Sequence, residues 1–461
     1  MDRFEHDFTH LEELLDSTRV AGQQFVEGLR QRPAAQPPTT IPEALVLPDE
    51  GLGAQIALDL FRSRYEAGLS ASPGPRYLGF VTGGSTPAAL AGDWLASAYD
   101  QNLSNDGDSI ASSVERETLA MLRQLFGMSD RFHGAMVSGA TQANLVALAT
   151  ARQWVGERLG VDVSSSGLAG LGGISVLAGS AHASVFKALS VLGLGRQSVE
   201  AIDRLPDRMA VDPRALEERL RSLEGRPAIV VASAGDVNTG DFDDLEAVGE
   251  LCREHGAWLH VDGAFGLFAA CDPERAHLLA GLEQANSVAT DGHKWLNVPY
   301  DSGIVFTRHL ALQEKVFKAV AAYLGDGPDL LHRTPENSRR FRALPAWATL
   351  MAYGREGYRD LVRRNCAQAQ ALGERLAASE HFELLAPVRL DVVCFALREG
   401  DATRRDRLID FLAHDGRAYL TPTHFEGRPG LRAAFVNWMT RDDDVETVFE
   451  ALEEGATEVG L

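Results

Sequence analysis

The run Ala228-Ile-Val-Val-Ala232, the amphipathic stretch Asp243–His255 and the run Trp258-Leu-His-Val-Asp262 follow one another as strand, helix and strand. The first run is apolar at every position and the second at three of five, neither with a fully solvated face. Both of their faces must therefore be covered, as in a parallel sheet between helical layers. Outward from this unit the order recurs: Gly134-Ala-Met-Val-Ser138 leads into a helical pattern over Asn144–Glu157, and Ile174–Ala178 into one over Ala183–Leu192. The centre of the chain reads as an α/β domain on a mainly parallel sheet. Past Arg355 a long helix through Leu376 precedes the strand-like Phe382–Leu384 and Val392–Leu397, a helix near Arg404–Asp415, and the run Leu431–Asn437. That is the pattern of a smaller α+β domain. At the other end Phe4, Phe8, Leu11, Leu14 and Leu15 recur at helical spacing, and Arg32-Pro33-Ala34-Ala35-Gln36-Pro37-Pro38 breaks the pattern. The expected division is 1–75 as an N-terminal helical segment, 76–355 as the large domain and 356–461 as the small one.

The totals narrow the function. With 65 acidic against 44 basic residues, the 461-residue chain carries a formal charge of −21, which should repel nucleic acid and anionic membranes. No apolar run approaches the length that spans a bilayer, and Met1–His10 lacks the basic-then-apolar order of a signal peptide. Cys252, Cys271, Cys366 and Cys394 lie far apart, in no metal or disulfide spacing, so no metal site is expected. A cytoplasmic enzyme fits these features.

Four segments carry candidate chemistry. Gly139-Ala140-Thr141-Gln142 joins a strand to a helix, where small residues and helix-terminal amides can receive an anion, or where Thr141 simply caps the helix. Ser180-Ala181-His182 follows a strand end, the usual place for ligands in such a sheet. Asp262 ends an apolar strand, and a buried carboxylate needs a cation; the small Gly263 and Ala264 beside it leave room for a flat group. Thr290-Asp291-Gly292-His293-Lys294-Trp295 places a lysine among apolar neighbours, where shelter from water favours amine chemistry on a carbonyl. An anion cradle, a histidine, a carboxylate and a lysine, in that order, are what pyridoxal phosphate requires for its phosphate, ring face, pyridine nitrogen and aldehyde.

With these residues in place the chain resembles the group II pyridoxal-phosphate-dependent amino-acid decarboxylases. Asp291-Gly292-His293-Lys294-Trp295-Leu296 is similar to the family's Asn-Pro-His-Lys-Trp segment, and His260-Val261-Asp262-Gly263-Ala264 accompanies it. The resemblance implies fold type I, the PLP-dependent transferase-like α/β fold: a large domain with a mainly parallel seven-stranded sheet, a smaller C-terminal α+β domain and an N-terminal helical segment. It implies pyridoxal 5'-phosphate as cofactor, Lys294 as the Schiff-base lysine and Asp262 as partner of the pyridine nitrogen. It places His182 on one ring face and Ala264 on the other, with Ala140, Thr141 and His293 at the phosphate. Thr82, in Thr82-Gly83-Gly84-Ser85-Thr86-Pro87, becomes a substrate contact, with Phe80 and Trp94 as candidates for the pocket wall and Arg339 of Ser338–Leu344 as a further contact. Tyr323, ahead of the breaker-rich Gly325-Asp326-Gly327-Pro328-Asp329, resembles the family's proton-donating tyrosine. A homodimer with active sites at the subunit interface is also implied.

The departures are specific. The family's threonine near the ring hydroxyl is missing from Gly235-Asp236-Val237-Asn238-Thr239-Gly240, so its contact is expected to fall to Asn238 or Thr239, or to be lost. Asp291 stands where the family has asparagine, and a carboxylate next to a phosphate is costly, so it should be turned away or hydrogen-bonded. The implied reaction is decarboxylation of an L-amino acid to its amine and carbon dioxide. The alternative on the same fold is an aminotransferase or a carbon–sulfur lyase, and Arg432 is compatible with either.

Overall fold

The computed structural model describes residues 2–38, 40–320 and 329–460. Seven strands form the central sheet: β1 His133–Val137, β2 Val176–Ala178, β3 Val199–Ala201, β4 Ile229–Ser233, β5 Trp258–Asp262, β6 Ser287–Asp291 and β7 Gly303–Thr307. Their order is β1-β7-β6-β5-β4-β2-β3. Only β7 runs antiparallel to its neighbours, β1 and β6; the other pairings are parallel. Every residue of β5, β6 and β7 is buried, so the polar side chains these strands carry, among them His260, Asp262, Ser287 and Asp291, lie inside the fold. Ser233 pairs with Asp262, and Asp262 with Ala289, so the carboxyl ends of β4, β5 and β6 lie level along one edge. The expected fold type I architecture is what the chain adopts. β3 is three residues long and only half-buried, too short for a pattern in the sequence.

The second sheet contains β8 Phe382–Leu384, β9 Val392–Leu397, β10 Thr421–Phe425 and β11 Arg428–Ala434, antiparallel throughout in the order β10-β11-β9-β8. Helices Ala343–Ala378, Ala402–Asp415 and Asp442–Glu458 cover it, joining Leu372, Leu376, Phe395, Leu408 and Leu452 in one buried cluster. The first of these helices breaks at Gly354, whose φ of 56° and ψ of −167° are not helical. Leu390, Val392, Ala434 and Val436 belong instead to the cluster that holds Val261 and Trp295, so one side of the small sheet is built into the main core.

Helices Arg3–Thr9, Leu11–Glu27 and Ala54–Tyr65 bury none of their residues and expose Phe4, Phe8, Leu15, Ile56 and Phe61. The proline-rich stretch between them is docked on this chain's own small domain. Leu29 and Ala34 are buried, the Ala34 amide donates to Gly416 O at 2.7 Å, and Arg30 and Arg76 both pair with Asp444. Among the described residues no helix is long and apolar enough to cross a membrane.

Candidate active site

A cavity of about 410 Å³ opens where the carboxyl ends of β4, β5 and β6 meet the N-terminus of helix Ala140–Arg158. Lys294 enters it from the loop after β6. The residues that follow it hold that loop rigid: Trp295 and Leu296 are fully buried, and Trp295 Nε1 donates to Asn365 Oδ1 at 2.9 Å. From the other side the Thr82–Pro87 loop presses on the Lys294 backbone. A Cβ at Gly83 would lie 1.7 Å from Lys294 O, so only glycine fits there. The strain continues upstream, where Phe80 and Val81 hold φ of 57° and 58°. Lys294 Nζ lies 3.6 Å from Asp291 Oδ2 and 5.5 Å from the centre of the Phe265 ring.

Asp262 is fixed by a hydrogen-bonded chain that local motifs do not announce. Asn144 Nδ2 donates both to Asp262 Oδ2 and to Ser184 Oγ, each at 2.9 Å. Its Oδ1 can then only accept, from His260 Nε2 at 2.9 Å. His260 Nδ1 in turn faces Ser287 Oγ at 2.9 Å, which also accepts from Trp258 Nε1. This assigns the His260 proton to Nε2. Complete burial pushes the ring down to about 4, so it stays neutral. At the other end the Ser184 amide donates to His182 Nδ1 at 3.2 Å, which leaves the His182 proton on Nε2. Burial lowers that ring too. Asp262 Oδ1 accepts from the Ala264 amide at 3.2 Å. One network therefore sets the carboxylate below the cavity and the imidazole beside it. Its sequence signal was a polar residue on the buried side of an otherwise apolar element, Asn144 in the helix and His260 in the strand.

The cradle holds a surprise in Asp291. Its carboxylate faces inward: Oδ1 accepts from the Ala140 amide at 2.6 Å, and Oδ2 lies 3.4 Å from His293 Nε2. It is thus hydrogen-bonded, as one of the two expectations had it, and it is not turned away. A negative charge at the positive end of a helix is stabilised where it stands. Burial lowers His293, and its ring lies against Tyr300, 4.4 Å between centres. The amides of Thr141 and Gln142 have no partner within the helix by position, so they stay available to an anion.

The remaining expected residues divide. Ala140, Thr141, His182, Asp262, Ala264, His293, Lys294 and Phe80 line the cavity together. Thr82 is buried behind it and reaches it through a 3.2 Å hydrogen bond to Tyr300, which does line it. Asn238 and Thr239 do not line it. The Asn238 side chain accepts from Thr423 Oγ1 at 2.8 Å, and both their amides donate to Asp236 Oδ1. Asp236 faces the cavity in their place, held also by Ser180 Oγ, with its carboxyl raised by burial. Arg432 crosses from β11 into the cavity, donating to Val237 O at 2.6 Å and Thr421 Oγ1 at 3.0 Å. Arg339 does not reach the site. It is buried against Glu115 at 3.2 Å and donates to Met136 O and Leu103 O, so its charge is spent inside the fold. Trp94 packs over Gly22 of the N-terminal segment, outside the cavity. Tyr323 lies outside the described residues.

These residues fit pyridoxal phosphate. Asp262 accepts only from Asn144 and Ala264 and still faces the cavity, the donor amides of the helix stand opposite, and Ala264 leaves a flat group room. The family model described as the pyridoxal-dependent decarboxylase conserved domain matches residues 52–398. L-2,4-diaminobutyrate decarboxylase of Rhizobium meliloti (strain 1021) is 32% identical over 388 residues, 80% of this chain and 76% of that one. Aromatic-L-amino-acid decarboxylase of Bacillus atrophaeus is 27% identical over 408 residues, 84% and 82% of the two chains. The crystal structure of Oryza sativa TDC with PLP and tryptamine superposes with a TM-score of 0.89 over 98% of both chains at 24% identity, a likeness of fold. With the matching domain spanning most of its length, the chain belongs to the pyridoxal-dependent decarboxylase family, amino-acid carboxy-lyases whose cofactor is pyridoxal 5'-phosphate.

Proposed function

We propose that this enzyme converts an L-amino acid to the corresponding amine and carbon dioxide, with Lys294 as the covalent anchor of its cofactor. The observation that carries the reading is the convergence of Lys294, Asp262, His182 and the N-terminus of helix Ala140–Arg158 on one cavity. Bound there, pyridoxal phosphate supplies an electron sink for the pair released when a bond at Cα breaks. Asp262, anchored by Asn144, would hold the ring nitrogen; Ala140, Thr141 and His293 would hold the phosphate; His182 and Ala264 would flank the ring. His182, which lines the cavity, keeps its proton on Nε2 because burial and the Ser184 amide favour the neutral tautomer. Arg432 offers a substrate carboxylate a cation, and Phe80 and Tyr300 form an aromatic wall with Thr82 behind it. Release of carbon dioxide from a panel of L-amino acids, matched mole for mole by amine, tests the reaction. Keto acid without carbon dioxide would favour an aminotransferase.

Asp291 sets the cofactor affinity in this reading. Two like charges about 4 Å apart cost between about 1 and 4 kcal/mol as the effective dielectric falls from water's to that of a protein surface. Asp291→Asn keeps the shape without the charge. It is expected to tighten pyridoxal phosphate binding at least about five-fold, read by titration of the apoenzyme. Unchanged or weaker binding would mean that the carboxylate's hold on His293 and Lys294 outweighs the repulsion.

The same proposal includes a homodimer. The three N-terminal helices expose Phe4, Phe8, Leu15, Ile56 and Phe61, which no surface among the described residues covers. Light scattering should give twice the chain mass, falling to one chain when Phe8 and Leu15 are both replaced by serine. All four cysteines are free and buried, which suits a cytoplasmic location.

A further inference from the structure

The opposite end of the sheet carries a second cleft, about 470 Å³, whose charge runs against that of the chain. It lies where β5 and β6 begin, at Ala257 and Asn286, whereas the cofactor cavity lies where they end, at Asp262 and Asp291. Five strand residues, about 16 Å, separate the two.

Four guanidinium groups from four segments line this cleft: Arg131 before β1, Arg158 at the end of helix Ala140–Arg158, Arg253 in the last turn of helix Leu245–His255, and Arg308 just after β7. Glu283 is the one carboxylate among its lining residues, and it is already engaged. It accepts from Arg131 at 2.7 Å and from the amide and hydroxyl of Ser129. Arg308 donates only to the backbone oxygens of Glu283 and Gln284, at 3.3 and 3.5 Å. Arg158 lies 4.2 Å over the Trp154 ring. Neither Arg158 nor Arg308 has a carboxylate partner among the described residues, and Arg253 only approaches its neighbour Glu254 at 3.9 Å. Partial burial, then the charge of Arg131, lower Arg308, and the Glu283 carboxylate offsets only part of that. His309, hydrogen-bonded to Asn286 at 2.9 Å, is kept neutral by burial and by Arg308 and Arg158.

Compensation of helix C-termini accounts for Arg158 and Arg253. Glu283 accounts for Arg131; neither accounts for Arg308, which stands on a loop and adds a like charge beside the others in a chain of net charge −21. Such an arrangement is stabilised by an anion that can meet several guanidinium forks at once. We propose that this cleft binds a small multivalent oxyanion, a molecule bearing two or more phosphate or carboxylate groups.

The test uses cofactor-loaded enzyme, so that the phosphate cradle is filled, titrated calorimetrically with inorganic pyrophosphate and separately with citrate against chloride of equal ionic strength. Saturable binding of at least one is expected, weakened at least ten-fold in the double variant Arg158→Gln/Arg308→Gln with the cofactor absorbance unchanged. Pyrophosphate alone would identify a phosphorylated ligand, citrate alone a polycarboxylate, and both a site that reads charge. If the double variant does not retain cofactor, Arg253→Gln, whose side chain is 69% exposed, replaces it and should weaken binding at least two-fold. No saturable binding of either anion, or equal binding by wild type and variant, overturns the proposal.

Discussion

Replacing Lys294 by alanine is expected to lower decarboxylation by about 10³-fold or more and to leave purified protein without the yellow form that borohydride traps. On the proposed role, the Lys294 amine would hold the cofactor covalently. No neighbour can take its place: Lys294 is the one lysine among the described residues that line the cavity. The fold should survive the change. The side chain is a cavity-lining group, and the loop is held by Trp295 on Asn365 and by Gly83 against the backbone, neither of which involves Nζ. Near-native melting with loss of both activity and trapping is therefore the expected pair of results. Activity within ten-fold of wild type would remove Lys294 from the role.

Asp391→Asn is expected to stabilise the protein, increasingly so as pH rises. Asp391 precedes β9, is completely buried, and neither carboxyl oxygen has a sound hydrogen-bond partner among the described residues. Burial pushes it up to about 8 from 3.8, and the charge of Lys294 offsets only part of that. The unfolded chain loses this proton near pH 4 while the folded chain keeps it to about 8, so folding takes up a proton between the two. Stability from this group is full below about pH 4 and falls by about 1.4 kcal/mol per pH unit until the folded carboxyl ionises. The ceiling is roughly 6 kcal/mol, less whatever the site relaxes. Asparagine has the same shape and nothing to ionise. Chemical unfolding of both proteins at pH 5, 6.5 and 8 checks this, because other titrating groups cancel in the difference. An equal difference at pH 5 and pH 8 would refute it.

Much of the candidate site was legible because its signals are local. Lys294, Asp262 and His182 each sit within a few residues of a strand end, and an apolar run followed by small and polar residues marks such an end in the bare chain. Asn238 and Thr239 went to another use for a reason the chain order hides. Their loop turns so that its amides serve Asp236, and Asp236 becomes the group that faces the cavity. Arg339 was legible as part of an arginine-rich helix start. Its direction was not, because Glu115, 224 residues earlier, draws it into the core.

The sequence by itself determined the alternation of strands and helices, the order of the cradle, histidine, carboxylate and lysine segments, and through them the family. Periodicity and motif are properties of neighbouring residues, and neighbours stay neighbours in any fold. The tertiary structure alone decided which distant groups meet. It set Asp291 on the Ala140 amide across 151 residues, linked His260 to Asn144 across 116, left the Asp391 carboxyl without a hydrogen-bond partner among the described residues, and gathered four arginines from four segments at the far end of the sheet. Those meetings depend on strand order and on the packing of helices over the sheet, and a charge or a hydrogen bond acquires its consequence only from what stands opposite it.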